Sequence, residues 1–410
     1  MAVMESYCTR PAGNSDPFEL LCAARQHEPL ALLCSNGIGP TWLFRDPTAV
    51  LDLDDADVAI ALSRIRGHLA AHQDLRHVGW FGYDLRDAVE AIPRRIAPSR
   101  SMPLVHLCSY AEALEWRDAR PPVRPPEPQR IGPVRALMTR RDYERLVATV
   151  VEHIRAGDLF QANLSQPFVA RFEGDPRQLF LRLCALSPAP FAAYLEDGRG
   201  TAILSSSPEE FLWRDGAVVR TRPIKGTRPR SADPHEDERL LEELRASEKD
   251  LAELAMIVDL MRNDLGKLAE PGSVQVGAFP EHASFAQVHH LFATVTASLR
   301  VGVDAVDLLG ATFPAGSITG APKLRAMAEI EDLEVRRRGV YTGAIGWIGP
   351  ADRLHLNVAI RTLVVRDGEL RFFAGGGVTA RSDPAHEYEE TLHKARGILA
   401  ALGADLEVPT

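Results

Sequence analysis

Four carboxylates stand in two pairs of the same spacing. Asp250 and Glu253 are three apart, and so are Glu387 and Glu390 within Asp383-Pro-Ala-His-Glu-Tyr-Glu-Glu-Thr391. Residues three apart share a helix face. Four acids converging without cations would repel one another, and a hard divalent ion with oxygen ligands, such as Mg²⁺, would resolve that repulsion. The same spacing also suits two solvated helix faces. Lys225 lies in Arg222-Pro-Ile-Lys-Gly-Thr-Arg228, where the flanking proline and glycine predict a rigid, tightly turned loop. A lysine held near other cations or in an apolar pocket loses its proton more easily and becomes a nucleophile. Glu209 follows Ser205-Ser-Ser-Pro208 at the end of an expected strand, a place from which a carboxyl can act as general acid in a cleft. Ser317-Ile-Thr-Gly-Ala-Pro-Lys323, Tyr341, Arg361 and Gly375-Gly-Gly377 add hydroxyls, a guanidinium and open amides, all suited to binding carboxylates.

These groups need elements to hold them. Residues 57–70 predict a helix with Val58, Leu62, Ile65 and Leu69 on one face. Residues 143–156 predict a second, striped by Leu146, Val147, Val150, Val151 and Ile154 and stopped by Gly157. Residues 247–265 predict a third, and a final helix opens near Glu387 and runs to Leu402. Hairpins are expected around Asp215-Gly216 and Asp367-Gly368. Two further strands, 340–348 and 354–365, are expected to join at Gly349-Pro350. Antiparallel strands with helices between them predict an α+β, sheet-rich fold, not an alternating βαβ array. Five prolines between Arg117 and Arg130 forbid a helix or a central strand there. They place a connection at 121–138, between an N-terminal region, 1–120, and a second region, 139–405.

The chain has 410 residues, 45% apolar and 25% charged, which supplies a large core and little bias toward disorder. A net charge of −9 argues against nucleic acid or an anionic membrane as the main partner. No apolar run approaches the roughly 18 residues of a membrane span, and no secretory signal is expected. The five cysteines, Cys8, Cys22, Cys34, Cys108 and Cys184, are scattered, with no zinc-ligand or C-x-x-C spacing. Reduced thiols in a cytoplasmic protein are expected. No G-x-G-x-x-G opens a helix, and Pro322 removes an amide where a phosphate cradle would need one.

Taken in order, several segments resemble the chorismate-utilising enzyme family. They are Gly157-Asp-Leu-Phe-Gln-Ala-Asn-Leu-Ser165, Ser205-Ser-Ser-Pro-Glu209, Arg222-Pro-Ile-Lys-Gly-Thr227 and Ala252-Glu-Leu-Ala-Met-Ile-Val-Asp-Leu-Met-Arg-Asn-Asp264. Val288-His-His-Leu291, Gly316-Ser-Ile-Thr-Gly-Ala-Pro-Lys323, Arg338-Gly-Val-Tyr-Thr-Gly-Ala-Ile-Gly346, Leu356-Asn-Val-Ala-Ile-Arg361 and the stretch from Gly375 to Thr391 complete the set. Toward the N-terminus, Ser35 and Gly79-Trp-Phe-Gly-Tyr-Asp84 resemble the family's first segment.

The resemblance implies a two-sheet antiparallel β-sandwich with surrounding helices, the fold of anthranilate synthase component I, with Mg²⁺ and chorismate in a cleft. It implies that Glu253 and Glu390 hold the metal directly and that Asp250 and Glu387 act close by or through water. Tyr341, Arg361 and the Gly375 amide match the groups that bind the enolpyruvyl carboxylate. Gly377 matches an amide on the ring carboxylate, and His290, not His289, the histidine near the reacting ring. Ser317 and Thr227 match hydroxyls lining the site. Within the family, isochorismate and salicylate synthases place a water-activating lysine where this chain has Gln161, and anthranilate synthases typically place alanine where it has Lys225. The pattern here is that of aminodeoxychorismate synthase component I, with anthranilate synthase component I as the alternative. That branch implies Lys225 as covalent nucleophile and Glu209 as general acid. It also implies ammonia from a separate glutamine amidotransferase subunit, and 4-amino-4-deoxychorismate as a product that leads to 4-aminobenzoate and folate.

Overall fold

Successive side chains point to opposite faces of a strand, and in the central strands both faces meet an apolar layer. In Ala202–Ser207, Ala202 and Leu204 face one cluster and Ile203 faces another. The computed structural model describes residues 9–11, 15–25, 28–36, 39–96, 102–285 and 288–409. Cys8 and much of the polar N-terminal stretch lie outside the described residues. Among those residues the chain builds sheets of thirteen, nine and three strands. The largest runs through Leu30–Cys34, Phe191–Glu196, Ala202–Ser207, Thr362–Arg366, Glu369–Thr379 and Gln161–Glu173 as successive neighbours. The second runs through Val218–Arg222, Glu210–Asp215, Leu354–Val358, Ala344–Ile348, Arg76–Phe81, Val105–Tyr110 and Ala49–Leu53. These pairings are antiparallel. Two short pairs at the edges, Thr9–Pro11 with Ala113–Trp116 and Leu406–Glu407 with Val134–Ala136, are parallel.

Ala31, Phe44, Leu195 and Ile203 of the first sheet meet Val78, Trp80, Tyr110 and Ile345 of the second in one buried cluster, the filling of a sandwich. Each outer face is covered by helices. Leu53, Phe81, Leu212 and Leu356 pack on Ile65, Ile257, Met261 and Leu308. Phe168, Phe372 and Leu204 pack on Phe180, Ala395 and Ile398. This is the expected α+β sandwich, and strands from residues 30–116 enter both large sheets. None of the described helices is long and apolar enough to cross a membrane. The four described cysteines are unpaired.

Several local expectations need adjusting. The expected helix 57–70 begins as a 3₁₀ turn, Asp55–Ile60, because Asp54 and Asp57 form a capping box one turn early; the α-helix proper is Ala61–Ala71. The hairpin expected at Asp215-Gly216 turns one residue later. Asp215 pairs with Val218, and Gly216 takes φ 57° as first residue of the turn, which only glycine adopts freely. At Asp367-Gly368 both residues have positive φ and the turn falls where expected. The expected strand 354–365 is two strands in different sheets. The chain leaves the second sheet after Val358 and joins the first at Thr362, and Arg361 (φ 49°) makes the crossing. Residues 130–131 and 134–136 of the proline-rich connection pair with Gln161–Glu173. The small third sheet, of Ile224–Pro229, Val288–Phe292 and Glu281–Ser284, has no counterpart among the expected elements, and it carries Lys225.

Candidate active site

Lys225 and Thr227 lie on Ile224–Pro229, opposite Leu291 and His290. Gly226 between them is the extra residue of a β-bulge, with φ 84°. A Cβ there would stand 2.9 Å from Leu244 Cδ1 and 3.0 Å from Asp250, so only glycine lets the strand lie this close to the helix Glu248–Gly266. The Lys225 side chain is mostly buried, and its Nζ lies 3.9 Å from Glu253 Oε2. Thr227 Oγ1 and His290 Nδ1 are 2.9 Å apart. Burial, and then the nearby Arg361 cation, push His290 down to about 4, so the ring is neutral at pH 7.

Glu209 is fixed where the first sheet ends. Its amide donates to Ser207 Oγ (3.3 Å) and its carbonyl accepts from Val358 N (3.0 Å). The carboxyl is buried, and burial raises it to about 7 against the opposing pull of Ser317 and Lys225. Ser317 lies against this carboxyl and favours its ionised form, yet the hydroxyl completes no hydrogen bond of good geometry. A carboxyl raised toward neutrality near a lysine brings a candidate acid and a candidate nucleophile together.

The strand Glu369–Thr379 brings the glycines under these groups. A Cβ on Gly377 would lie 2.4 Å from Gln161 Nε2 and 3.3 Å from Lys225 Nζ. A Cβ on Gly376 would lie 3.1 Å from both Glu387 Oε2 and Glu390 Oε1. The triple glycine is therefore a floor that side chains from three directions approach. Gln161 is fully buried and both its amide atoms lack partners. Buried polar atoms are rarely left unpaired, so the Gln161 amide and the Ser317 hydroxyl have capacity for a polar guest.

The acids come from the two helices that the spacing predicts, Glu248–Gly266 and Pro384–Leu402. Glu387 accepts from Ser382 Oγ (2.6 Å) while its Oε2 has no partner; burial and then Glu390 raise its pKa. Burial also raises Glu253, and the Asp250 and Glu390 charges add to it. For Glu390, burial is outweighed by Lys394, Lys249 and Lys225, which hold it low. Lys394 Nζ sits 2.7 Å from Glu390 and donates to Gly375 O (2.9 Å). Asp250 faces Arg228 at 3.6 Å.

Among the described residues no three His, Cys, Asp or Glu side chains form a ready coordination shell. Mg²⁺ does not require one, since it is usually held by one or two protein carboxylates with substrate oxygens and water. Hard oxygen donors, mutual repulsion among Glu253, Glu387 and Glu390, and the orphaned Glu387 Oε2 fit such an ion.

Arg361, at the crossing between sheets, is largely buried and has no carboxylate partner among the described residues. Tyr341 stacks on Phe373, two residues before Gly375, with ring centroids 5.2 Å apart. The structure thus gathers Lys225, Glu209, Ser317, Gly377, Glu253, Glu387 and Glu390 in one place, with Thr227, His290 and Arg361 alongside. Lys394 and Lys249 have no sequence signal beyond lying four residues from Glu390 and Glu253 on their helices. A cavity of about 320 Å³ is lined by Arg338, Tyr341 and Phe373, and another of about 290 Å³ by Ser35, Trp42, Glu210 and Trp347.

The family model described as chorismate binding enzyme matches residues 31–400. The chain belongs to that family. It is 46% identical over 267 residues to anthranilate synthase component 1 of Streptomyces coelicolor, covering 65% of this chain and 52% of the relative. It is 41% identical over 347 residues to aminodeoxychorismate synthase component 1 of Salmonella typhimurium, covering 79% and 76%. The chain thus spans about half the length of the first of these relatives and three quarters of the second. The solved structure of anthranilate synthase component I from Streptococcus pneumoniae aligns with 94% of this chain and 98% of its own, at a TM-score of 0.76 and 26% identity.

Proposed function

We propose that this chorismate-utilising enzyme acts as component I of an aminodeoxychorismate synthase. It replaces the C4 hydroxyl of chorismate by an amino group, using ammonia from a glutamine amidotransferase partner. The observation that carries the reading is Lys225, whose Nζ stands over Gly377 near the buried Glu209, a carboxyl that burial raises to about 7.

In this reading Arg361, Tyr341 and the Gly375 amide hold the enolpyruvyl carboxylate, and the Gly377 amide faces the ring carboxylate. Thr227 and the neutral His290 line the ring. Glu253 and Glu390, with Glu387 and Asp250 near, would hold Mg²⁺, which when bound withdraws electrons through the ring carboxylate. Lys225, once deprotonated, attacks ring C2. The conjugated double bonds shift, the C4–O bond breaks, and Glu209 protonates the departing hydroxyl, which leaves as water. Ammonia then adds at C4, the double bonds shift back, and the C2–N bond to Lys225 breaks. Glu209, now ionised, takes the surplus proton from the added nitrogen. One hard substitution becomes two allylic displacements. Gln161 stands where a water-activating base would be needed for isochorismate formation, and a neutral amide cannot take that proton.

The acid role of Glu209 has a pH signature. Burial raises the carboxyl to about 7, so it is protonated below that pH and loses its proton above it. Accordingly kcat/KM for chorismate falls as pH rises through about 7. Glu209→Gln removes this limb and lowers turnover by about 10²–10³, the usual worth of a positioned acid. A variant that kept both the limb and the rate would assign proton donation to another group. The second reading is anthranilate synthase component I; relatives of both names reach 46% identity to this chain, and the product distinguishes the two.

A further inference from the structure

We propose that Arg338 is the positioning residue of the substrate-carboxylate side of this site, an assignment that rests on the chorismate-binding reading above. Its side chain is 1% exposed, and all five of its N–H donors are used. Nε donates to Glu334 Oε2 (2.9 Å) and Nη2 to Glu334 Oε1 (2.7 Å), a bidentate buried pair. The remaining donors reach three separate segments. Nη1 donates to Ile318 O (3.1 Å), next to Ser317, and to Thr342 Oγ1 (3.2 Å), next to Tyr341. Nη2 donates to Asn163 O (2.5 Å), and Asn163 pairs with Gly377. Glu334 extends the reach, for its Oε1 accepts from both Ser165 N (2.9 Å) and Ser165 Oγ (2.8 Å), and Ser165 pairs with Gly375.

One guanidinium–carboxylate pair thus ties together the backbone beside Ser317, Tyr341, Gly375 and Gly377. Arg338 also lies 4.7 Å over the Tyr83 ring and 5.8 Å from the Tyr341 ring centroid, so its plane is fixed from the side. No other residue type fits. Lysine has three donors on a point charge and cannot span four acceptor groups held in a planar fork. Arg338 touches none of the reacting atoms; it acts through the groups that hold the carboxylates.

The test measures chorismate binding apart from turnover. Isothermal titration with chorismate and Mg²⁺, without ammonium, is run on the wild-type chain, Arg338→Lys and Thr342→Val. Arg338→Lys keeps the charge opposite Glu334 and removes the fork. Thr342→Val removes one acceptor, and with it the hydroxyl's own bond to Tyr341 O, and leaves the other Arg338 bonds in place. Arg338→Lys is expected to weaken binding at least tenfold and Thr342→Val about threefold. In steady state KM should rise more than kcat falls. A role confined to stability would lower the melting temperature and leave the affinity of the folded chain at the wild-type value, and that result overturns the assignment. If Arg338→Lys does not fold, wild-type affinity in Thr342→Val alone overturns it. Absence of binding by the wild-type chain would instead remove the chorismate site, and this assignment with it.

Discussion

Lys225→Ala is expected to lower ammonia-dependent turnover of chorismate by about 10³ or more, roughly 4 kcal/mol of transition-state stabilisation. The amine is within reach of the ring floor, standing 3.3 Å from where a Gly377 side chain would begin. Arginine would not replace it, because a guanidinium does not give up its proton in a protein. Losing the Lys225 cation also removes a charge that pulls Glu209 downward, so the residual activity should titrate at a higher pH than wild type. A direct readout accompanies the rate. Wild-type chain held with chorismate and Mg²⁺ but no ammonia should gain the mass of one chorismate less one water, and Lys225→Ala should not. Full activity in the variant, or an adduct that survives the substitution, would remove the covalent step.

Glu390→Ala is expected to abolish stimulation by Mg²⁺ together with activity, a loss on the order of 10³. The carboxylate is held low by Lys394, Lys249 and Lys225 and is ionised at neutral pH, as a ligand to a hard cation must be. Removing it leaves Lys394 its bond to Gly375 O, so the helix Pro384–Leu402 keeps its contact with the glycine floor. The Glu390–Lys394 pair is partly exposed, and its loss should change stability by no more than about 1 kcal/mol. Mg²⁺ binding in the presence of chorismate, measured by titration calorimetry, checks the metal role independently of rate. Wild-type Mg²⁺ affinity and turnover in the variant would mean that the acidic pairs serve only as helix surface.

The sequence is most legible where chemistry repeats at helical spacing. Asp250, Glu253, Glu387 and Glu390 fall on the two helices their spacing predicts, and Ser247 and Asp383 cap those helices. Gly157 ends its helix in the left-handed region as expected. What periodicity cannot report is which sheet a strand joins. Apolar residues recur through 354–365, so the segment reads as one strand, although the alternation changes parity between Ile360 and Leu363, where Arg361 takes its positive φ. The three-stranded sheet escapes for the same reason. Its strands are short and of mixed polarity, and Ile224–Pro229 finds its partner Val288–Phe292 only across the intervening helices. Arg338 is the clearest case. It appears in the sequence as one basic residue among three in Arg336-Arg-Arg338, while its importance lies in contacts such as Glu334 to Ser165, 169 residues apart. Lys394 likewise gains meaning only once the strand carrying Gly375 lies beneath it.

The central claim, amination at C4 by way of Lys225, is tested most directly by the product. Purified chain is incubated with chorismate, Mg²⁺ and ammonium, and the product is identified by chromatography and mass, with and without an aminodeoxychorismate lyase. An amino-substituted chorismate that only the lyase converts to 4-aminobenzoate is the predicted result. Fluorescent anthranilate formed without the lyase would contradict the account and place the chain with the anthranilate synthases.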